Sequence, residues 1–493
     1  MILKGNCLDT LKTLETASVD SIVTDPPYEL GFMGKSWDNS GIAYNQDLWA
    51  ECLRVLKPGG HLLAFSGSRT YHRMVVAIED SGCEIRDQIM WLYGSGFPKS
   101  LDVSKAIDKS QRGNRVIELI GVLLDEGATL KELGEKSQIP SLESSYRDWV
   151  SGGHRPEERS WERLLSGLGF SEKDGLDIIS RKTVSLGGGN AYSFRKGEKR
   201  NWEIKEIAPS TAAAKQWDGW GTALKPAHEP IVVARKPLIG TVANNVLTYG
   251  TGALNIDGTR VGESARPLII PHQQHSKDKN THGSNGFGGG SHAFGETILG
   301  RWPANVIHDG SDEVLAGFPD TGKSTGGRIG KKSMGDVTNV PAGQYEAGDP
   351  GYGDSGSAAR FFYCAKASKS ERNAGLEGLP ERNLSDRGEE GMRDKNSIVT
   401  RHTVTQNFHP TVKPLALMRY LIKLVTPPNG IVLDPFLGSG TTAVAATLEG
   451  FEWIGCEMTE DYFPIIEARV AWAQNERNTE KATPTLFERG EQL

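Results

Sequence analysis

The chain has 493 residues, 37% of them hydrophobic, enough for about three structural units of roughly 150 residues with a sizeable core. Its longest apolar runs are about six residues, against the roughly 20 that cross a bilayer, and the start carries no signal-peptide pattern, so neither membrane insertion nor secretion is expected. The formal net charge of −6 excludes a uniformly basic nucleic-acid binder, but the charge is uneven, with −4 over residues 1–95, +4 over 96–420 and −6 over 421–493; the middle is the part suited to approach phosphates.

In chain order, Val19 to Thr24, His61 to Phe65 and Ile89 to Leu92 are short apolar runs bounded by turn or helix signals. They are expected to be strands of a parallel sheet buried on both faces. Residues 115–170 change character. Arg115 to Leu124 is apolar at helical spacing, Leu142, Tyr146, Trp149 and Val150 fall at i, i+4, i+7 and i+8, and Trp161, Leu164, Leu165 and Leu168 repeat the idea. This predicts a small helical module in which Thr129 to Lys136 and Ser141 to Val150 are spaced like a helix-turn-helix, with Arg147 and Arg155 near its DNA face; a lid or packing insert fits the same pattern.

Ile231 to Ala234 returns to a strand pattern. Glycine, 59 of 493 residues, is concentrated in the middle, where Gly187 to Gly189, Gly283 to Ser291 and Thr321 to Ser357 are expected to be loops. Further on, Leu415 to Val425 behind Pro414 and Thr441 to Glu449 before Gly450 have helical spacing, and Ile431 to Asp434 and Trp453 to Glu457 are strand-like. The tail after about Gln474 is polar and expected to fray. An α/β domain follows, its sheet assembled from the two ends of the chain around a large inserted middle. The five cysteines (Cys7, Cys52, Cys83, Cys364 and Cys456) are scattered, odd in number and without a C-x-x-C pair. That disfavours a disulfide framework and a cysteine zinc site, and it predicts a reducing, cytoplasmic compartment.

Two segments carry chemistry. Thr24-Asp25-Pro26-Pro27-Tyr28 directly follows a predicted strand. The two prolines fix an extended path and remove two N–H donors, which leaves carbonyl acceptors beside the Asp25 carboxylate and the face of Tyr28. Together these make a receptor for a planar group bearing an amino function, such as a nucleobase; in isolation the same four residues also read as a strand ending in turn chemistry. In the second segment, Ile431 to Thr442, a strand runs into Asp434-Pro435-Phe436-Leu437-Gly438-Ser439-Gly440-Thr441-Thr442, a glycine-rich turn that opens a helix. Bare N–H groups and the positive helix end are thereby presented to a ligand. Glu457 ends the next strand pattern, where nucleotide-type folds place an acid for ribose hydroxyls. Without a full G-x-G-x-x-G or a following G-K-[ST], a ligand with a ribose and an ammonium group but no phosphate fits best. His272 and His275 lie in a polar, Gly-rich stretch without acidic neighbours, so no metal site is expected.

These residues resemble the DNA amino-methyltransferases that use S-adenosylmethionine, in which D-P-P-Y and D-P-F-x-G-S-G-T are the catalytic and cofactor motifs. The order, with Asp25 before Asp434, is that of the circularly permuted β class. His409-Pro410-Thr411-Val412-Lys413-Pro414 matches the family's H-P-T-x-K-P segment, His228-Glu229 its H-E pair, and Trp91 to Pro98 its W…P segment. The resemblance implies a Rossmann-like class I methyltransferase sheet with Asp25, Pro26, Pro27 and Tyr28 as catalytic residues. It also implies cofactor contacts from Asp434, Phe436, Gly438, Ser439, Gly440, Thr441, Thr442, Glu457, Thr411 and Lys413, the last two at the methionine end. Gly5-Asn6 departs from the family's usual Gly-Asp; Asn6 is expected to keep the adenine contact in weaker or altered form.

The implied organisation is 1–100 and 401–475 as the two main parts of the catalytic domain and 216–260 as a further strand segment, with 101–215 as the helical insert, 261–400 as a Gly-rich target-recognition region and 476–493 as a tail. Prophage-type relatives are suggested across Trp217 to Val261 and Trp302 to Lys366, and Arg260, Arg266, Arg301 and Arg360 are the candidate DNA contacts. The expected partner is double-stranded DNA in a bacterial cytoplasm, with no membrane and with homodimerisation open. N6 of a flipped adenine is the favoured target. N4 of cytosine, and a non-catalytic DNA-binding decoy on the same scaffold, are the alternatives.

Overall fold

The computed structural model describes residues 1–30, 36–96, 100–125, 127–136, 142–150, 211–262, 266–271, 291–297, 300–322, 355–365, 370–383 and 404–482, with isolated residues and short strand pieces between 139 and 209. These residues form two compact units, one from Met1–Ser95 with Ala227–Leu493 and one from Gly96–Pro226.

The first unit is built on a nine-stranded sheet. Its strands are β1 (Ile2–Lys4), β2 (Val19–Thr24), β3 (Leu56–Phe65), β4 (Glu84–Leu92), β5 (His228–Arg235), β6 (Val306–His308), β7 (Tyr363–Cys364), β8 (Ile431–Asp434) and β9 (Glu452–Glu457), in the spatial order β1-β9-β8-β2-β3-β5-β4-β6-β7. Successive residues of the central strands point to opposite faces, and both faces are covered. Val23, Leu63, Ile231, Val233 and Val432 pack on one side with helices α8 (Leu415–Val425) and α9 (Thr441–Glu449). Ile22, Leu62, Val232, Ala234 and Leu433 pack on the other, with α1 (Cys7–Leu11), α2 (Gln46–Val55) and α3 (Tyr71–Asp80). This double burial is why the strands read as continuous apolar runs rather than as alternating ones.

The expectation of an all-parallel sheet fails at β5, which runs antiparallel to both β3 and β4. The reason is where it starts: Leu92 at the end of β4 pairs with His228, and the Tyr93 amide donates to the Ala227 carbonyl. A strand that begins where its neighbour stops has to run back. The polar end of the chain also differs from expectation. The last helix, α10 (Phe463–Ala482), continues past Gln474, whose side-chain amide donates to Asn478 one turn on.

Strands β2 and β8 are parallel neighbours, with Val432 opposite Ser21 and Leu433 opposite Ile22. The chain leaves β2 towards β3 on one side and leaves β8 towards β9 on the other. Their carboxyl ends therefore bound the crevice in which open α/β sheets bind ligands.

In the second unit α4 (Val103–Asp125), α5 (Leu130–Lys136) and α6 (Leu142–Val150) are helical, the last two within a residue of the expected pair. Thr129 caps α5 reciprocally with Glu132, and Leu133 and Leu142 are buried. The third helical pattern, Trp161 to Leu168, lies outside the described residues, as do Arg155, His272, His275 and most of the glycine-rich stretches; Gly189 and Ser291, expected in loops, begin the short strands Gly189–Tyr192 and Ser291–Thr297. No helix among the described residues is long and apolar enough to cross a membrane.

Candidate active site

The site is assembled where β2 and β8 end. Asp434 closes β8 and is 2% exposed. Its Oδ1 accepts the Thr24 hydroxyl at 2.6 Å and the Phe436 amide at 3.0 Å, and its Oδ2 accepts the Thr442 hydroxyl at 2.5 Å. Asp434 thus ties β2, the loop and α9 together, and Thr442 spends its hydroxyl on that brace. Burial, opposed by these three donors, pushes the Asp434 carboxyl up from 3.8 to about 6. Because the folded form holds its proton more tightly than the unfolded chain, the stability from this group is present below about pH 4 and lost as pH rises to about 6, amounting to at most about 3 kcal/mol. The melting temperature of Asp434→Asn is therefore expected to gain on that of the unsubstituted protein between pH 4 and 6. A constant difference across that window would refute the shift.

The loop after β8 is held from several sides. Gly438 and Gly440 adopt φ of +55° and +82°, a region costly for residues with a Cβ. A Cβ on Gly438 would lie 2.8 Å from Nε2 of His409, and one on Gly440 3.1 Å from Ile466. Glu457 ends β9, where its Oε2 accepts the Gly438 amide at 2.8 Å and its Oε1 the Thr459 amide at 2.7 Å. Asn6 is exposed beside it; the Gly5 amide donates to the Glu457 carbonyl, and Asn6 Oδ1 caps α1 by accepting from Leu8 N at 2.9 Å. An Asn caps a helix as well as an Asp does, which gives the departure at this position a local role. Thr411 is exposed, and its carbonyl lies 3.1 Å from Nδ1 of His409.

Beneath the loop is a residue absent from the sequence expectations. Arg469 of α10 is 1% exposed, and its Nη1 donates to the Ser439 carbonyl at 2.6 Å, to Ser439 Oγ at 3.2 Å and to Thr441 Oγ1 at 3.1 Å. Burial lowers its guanidinium to about 10, still charged at neutral pH. The available signal was an arginine on the apolar face of a helix, four residues after Ile465.

On the β2 side, Pro26 is buried and Tyr28 half-buried, with the Tyr28 carbonyl accepting from Thr70 Oγ1 at 2.7 Å. Asp25 Oδ2 is 2.7 Å from Lys413 Nζ, whereas Oδ1 is buried and accepts no hydrogen bond among the described residues. Lys413 also lies 3.4 Å from Oε2 of Glu229, which accepts the Tyr28 hydroxyl at 2.8 Å. Its ammonium sits over the rings of Tyr28 and Phe65 at 5.1 and 5.0 Å. The carboxylates that Lys413 meets in this structure are thus Asp25 and Glu229. Burial pushes the Asp25 carboxyl up, against the pull of Lys413. Burial disfavours the Lys413 charge, but Asp25 and Glu229 outweigh it and hold the ammonium above its ordinary range.

The sequence profile of the family described as DNA methylase, the N6/N4 group, matches residues 19–468. The chain belongs to the N6/N4 DNA methylase family. The family is S-adenosylmethionine-dependent, and the fold in this chain is the α/β sheet described above. The type II methyltransferase M.ScaI of Streptomyces caespitosus is 41% identical over 70 residues, covering 14% of this chain and 23% of that protein. M.HpaI of Haemophilus parainfluenzae is 34% identical over 113 residues, covering 22% and 36%. The chain thus spans no more than about a third of the length of these curated relatives. Among solved structures, the M1.HpyAVI–SAM complex matches at 13% identity with a TM-score of 0.32, covering 95% of this chain and 98% of that one. The PvuII cytosine-N4-specific DNA methyltransferase matches at 12% identity with a TM-score of 0.35, covering 97% and 92%.

Proposed function

We propose that this N6/N4 methylase is an active, permuted β-class DNA methyltransferase that transfers a methyl group from S-adenosylmethionine to the exocyclic amine of a flipped base, with adenine N6 as the favoured target. The observation that carries the reading is Asp25 Oδ1, a buried carboxylate oxygen without a partner among the described residues, directly after β2, the parallel neighbour of β8. A buried acceptor left unmet costs about 1–3 kcal/mol, and an amino N–H meets it.

The loop chemistry suits the cofactor. Backbone amides at the start of α9, Gly438 and Gly440 in conformations that keep the main chain bare, and the Glu457 carboxylate at the edge of the loop present donors and acceptors for hydroxyl and carboxylate groups. Phe436, Gly438, Ser439, Gly440, Thr441, Glu457, Asn6 and Thr411 are the residues assigned to hold it, with Asp434 and Thr442 bracing them and Lys413 acting through Asp25. Bound there, S-adenosylmethionine supplies an electrophilic methyl group.

The chain's own residues prepare the acceptor. Asp25 Oδ1 and the Pro26 carbonyl each accept one N–H of the base amine, which draws the nitrogen lone pair out of conjugation with the ring. Tyr28 offers a face on which the base stacks, offsetting the stacking lost from the duplex. Asp25 also sets a negative charge beside the methylated nitrogen before that nitrogen loses its proton.

The preference for adenine rests on the Asp of D-P-P-Y, since cytosine-N4 members of the resembled family more often carry Ser there. Incubating double-stranded DNA with the protein and S-adenosylmethionine, digesting to nucleosides and weighing them by mass spectrometry tests the reading. N6-methyladenine is expected. N4-methylcytosine alone would correct the base and leave the site standing, and no methylated nucleoside would overturn the activity.

A further inference from the structure

Lys413 and Glu229 are more completely committed than bystanders would be. The Lys413 side chain is 9% exposed, and its ammonium is shared between Asp25 at 2.7 Å and Glu229 at 3.4 Å under two aromatic rings. Glu229 Oε2 in turn receives the Tyr28 hydroxyl. One carboxylate at the start of β5 therefore binds both the cation that holds Asp25 and the ring that follows Asp25 in the chain.

We propose that Glu229 and Lys413 are positioning residues for methyl transfer: Lys413 occupies Asp25 Oδ2 so that Oδ1 is the one oxygen turned to the base amine, and Glu229 fixes Lys413 and Tyr28 together as a single ion-paired unit. The inference rests on the reading of Asp25 as the amine acceptor. A carboxylate gripped at one oxygen cannot rotate freely, so the acceptor is aimed before the base arrives, and pre-set geometry of this kind is what makes such a group effective.

Among the described residues, the charged and titratable groups around Asp25 come from several elements. Lys413 precedes α8, Glu229 lies on β5, Tyr28 follows β2, and Asp434 closes β8. Tyr93, after β4, faces Glu229 and Lys413 and is pushed up to about 12, chiefly by burial. Among these Lys413 is the one cation, and it favours the ionised form of Asp25 while Glu229 opposes it. Transfer needs Asp25 ionised. Removing the cation must therefore move the acid limb of the rate profile to higher pH, and removing the Glu229 charge must move it to lower pH.

The test is the single-turnover rate of methyl transfer to DNA against pH, for the unsubstituted protein, Lys413→Met and Glu229→Gln, with S-adenosylmethionine affinity measured by calorimetry. Lys413→Met is expected to lose about 100-fold in rate with its acid limb raised, and Glu229→Gln about 10-fold with its limb lowered, both keeping cofactor affinity within about threefold. Lys413→Arg, which retains the cation, should keep the limb near its original place. Rates that fall with unmoved limbs would make the pair merely structural and overturn the proposal. A cofactor affinity lost in Lys413→Met would assign the lysine to the cofactor instead, and also overturn it.

The carboxyl titration of Asp25, followed by carbon NMR in protein labelled at aspartate and assigned with Asp25→Asn, reads the same opposed shifts without turnover. It decides the proposal even if a variant is inactive. An unsubstituted protein that methylates no DNA would overturn the activity and with it the role in transfer, while this titration would still decide whether Lys413 and Glu229 set the ionisation of Asp25.

Discussion

Asp25→Ala is expected to lower methyl transfer by at least about 100-fold while leaving S-adenosylmethionine affinity within about threefold, because a well-aimed charged acceptor is worth that much in the transition state. The substitution removes the buried Oδ1, which has no hydrogen-bond partner among the described residues, and no hydrogen bond to the β8 loop among them. Among the described residues Lys413 is left with Glu229 as its carboxylate partner, so some loss of stability is expected beside the loss of rate. Asp25→Asn separates the two effects. Lys413 would claim the amide oxygen and turn the amide nitrogen, a donor, to where the acceptor is needed, so the Asn variant should fold normally and remain slow. Single-turnover transfer and calorimetric titration of both variants check this. Retention of more than about a tenth of the rate in Asp25→Ala would refute the role assigned to Asp25.

The second large effect is expected at Arg469. Replacing it with Met fills most of the same volume but leaves the Ser439 carbonyl and two hydroxyls without the donor that joins them. An unmet buried carbonyl costs about 1–3 kcal/mol, and the loop between β8 and α9 can recover it only by shifting towards water. S-adenosylmethionine affinity should fall by at least about tenfold, with a lowered melting temperature. Arg469→Lys should restore part of the loss, since all three bonds come from the single nitrogen Nη1 and an ammonium also carries three donors, though on a shorter stem. A lower melting temperature with unchanged cofactor affinity in Arg469→Met would reduce this residue to a packing role.

Much of the site was legible because its chemistry is contiguous. Asp25 to Tyr28 and Asp434 to Thr442 each follow a buried strand directly, and a strand end followed by prolines or by glycines announces an exposed backbone without any knowledge of what lies opposite. The helices at Leu415–Val425 and Thr441–Glu449 were equally legible, since Pro414 and Gly450 bound them in the sequence. Asp434 was legible as important but not in its manner: three donors occupy it, and it braces strand and helix. Arg469 was missed because an arginine in a helical pattern reads as a solvated side chain until the element packed above it is known.

The sequence by itself determined six of the nine strands, the two chemical motifs and their order, because apolar runs and the φ restrictions of proline and glycine act over a few residues; β1, β6 and β7, three residues or fewer each and the last two inside the segment assigned to target recognition, were too short to show a pattern. Only the tertiary structure decided which of the resulting groups meet. The antiparallel course of β5 brings Glu229 to the carboxyl ends of its neighbours, where it accepts from Tyr28 across 201 positions of chain. Lys413 reaches Asp25 across 388. Contacts at such separations depend on strand order and direction, which local patterning does not encode, and it is those contacts that turn a carboxylate after a strand into an acceptor with one open oxygen.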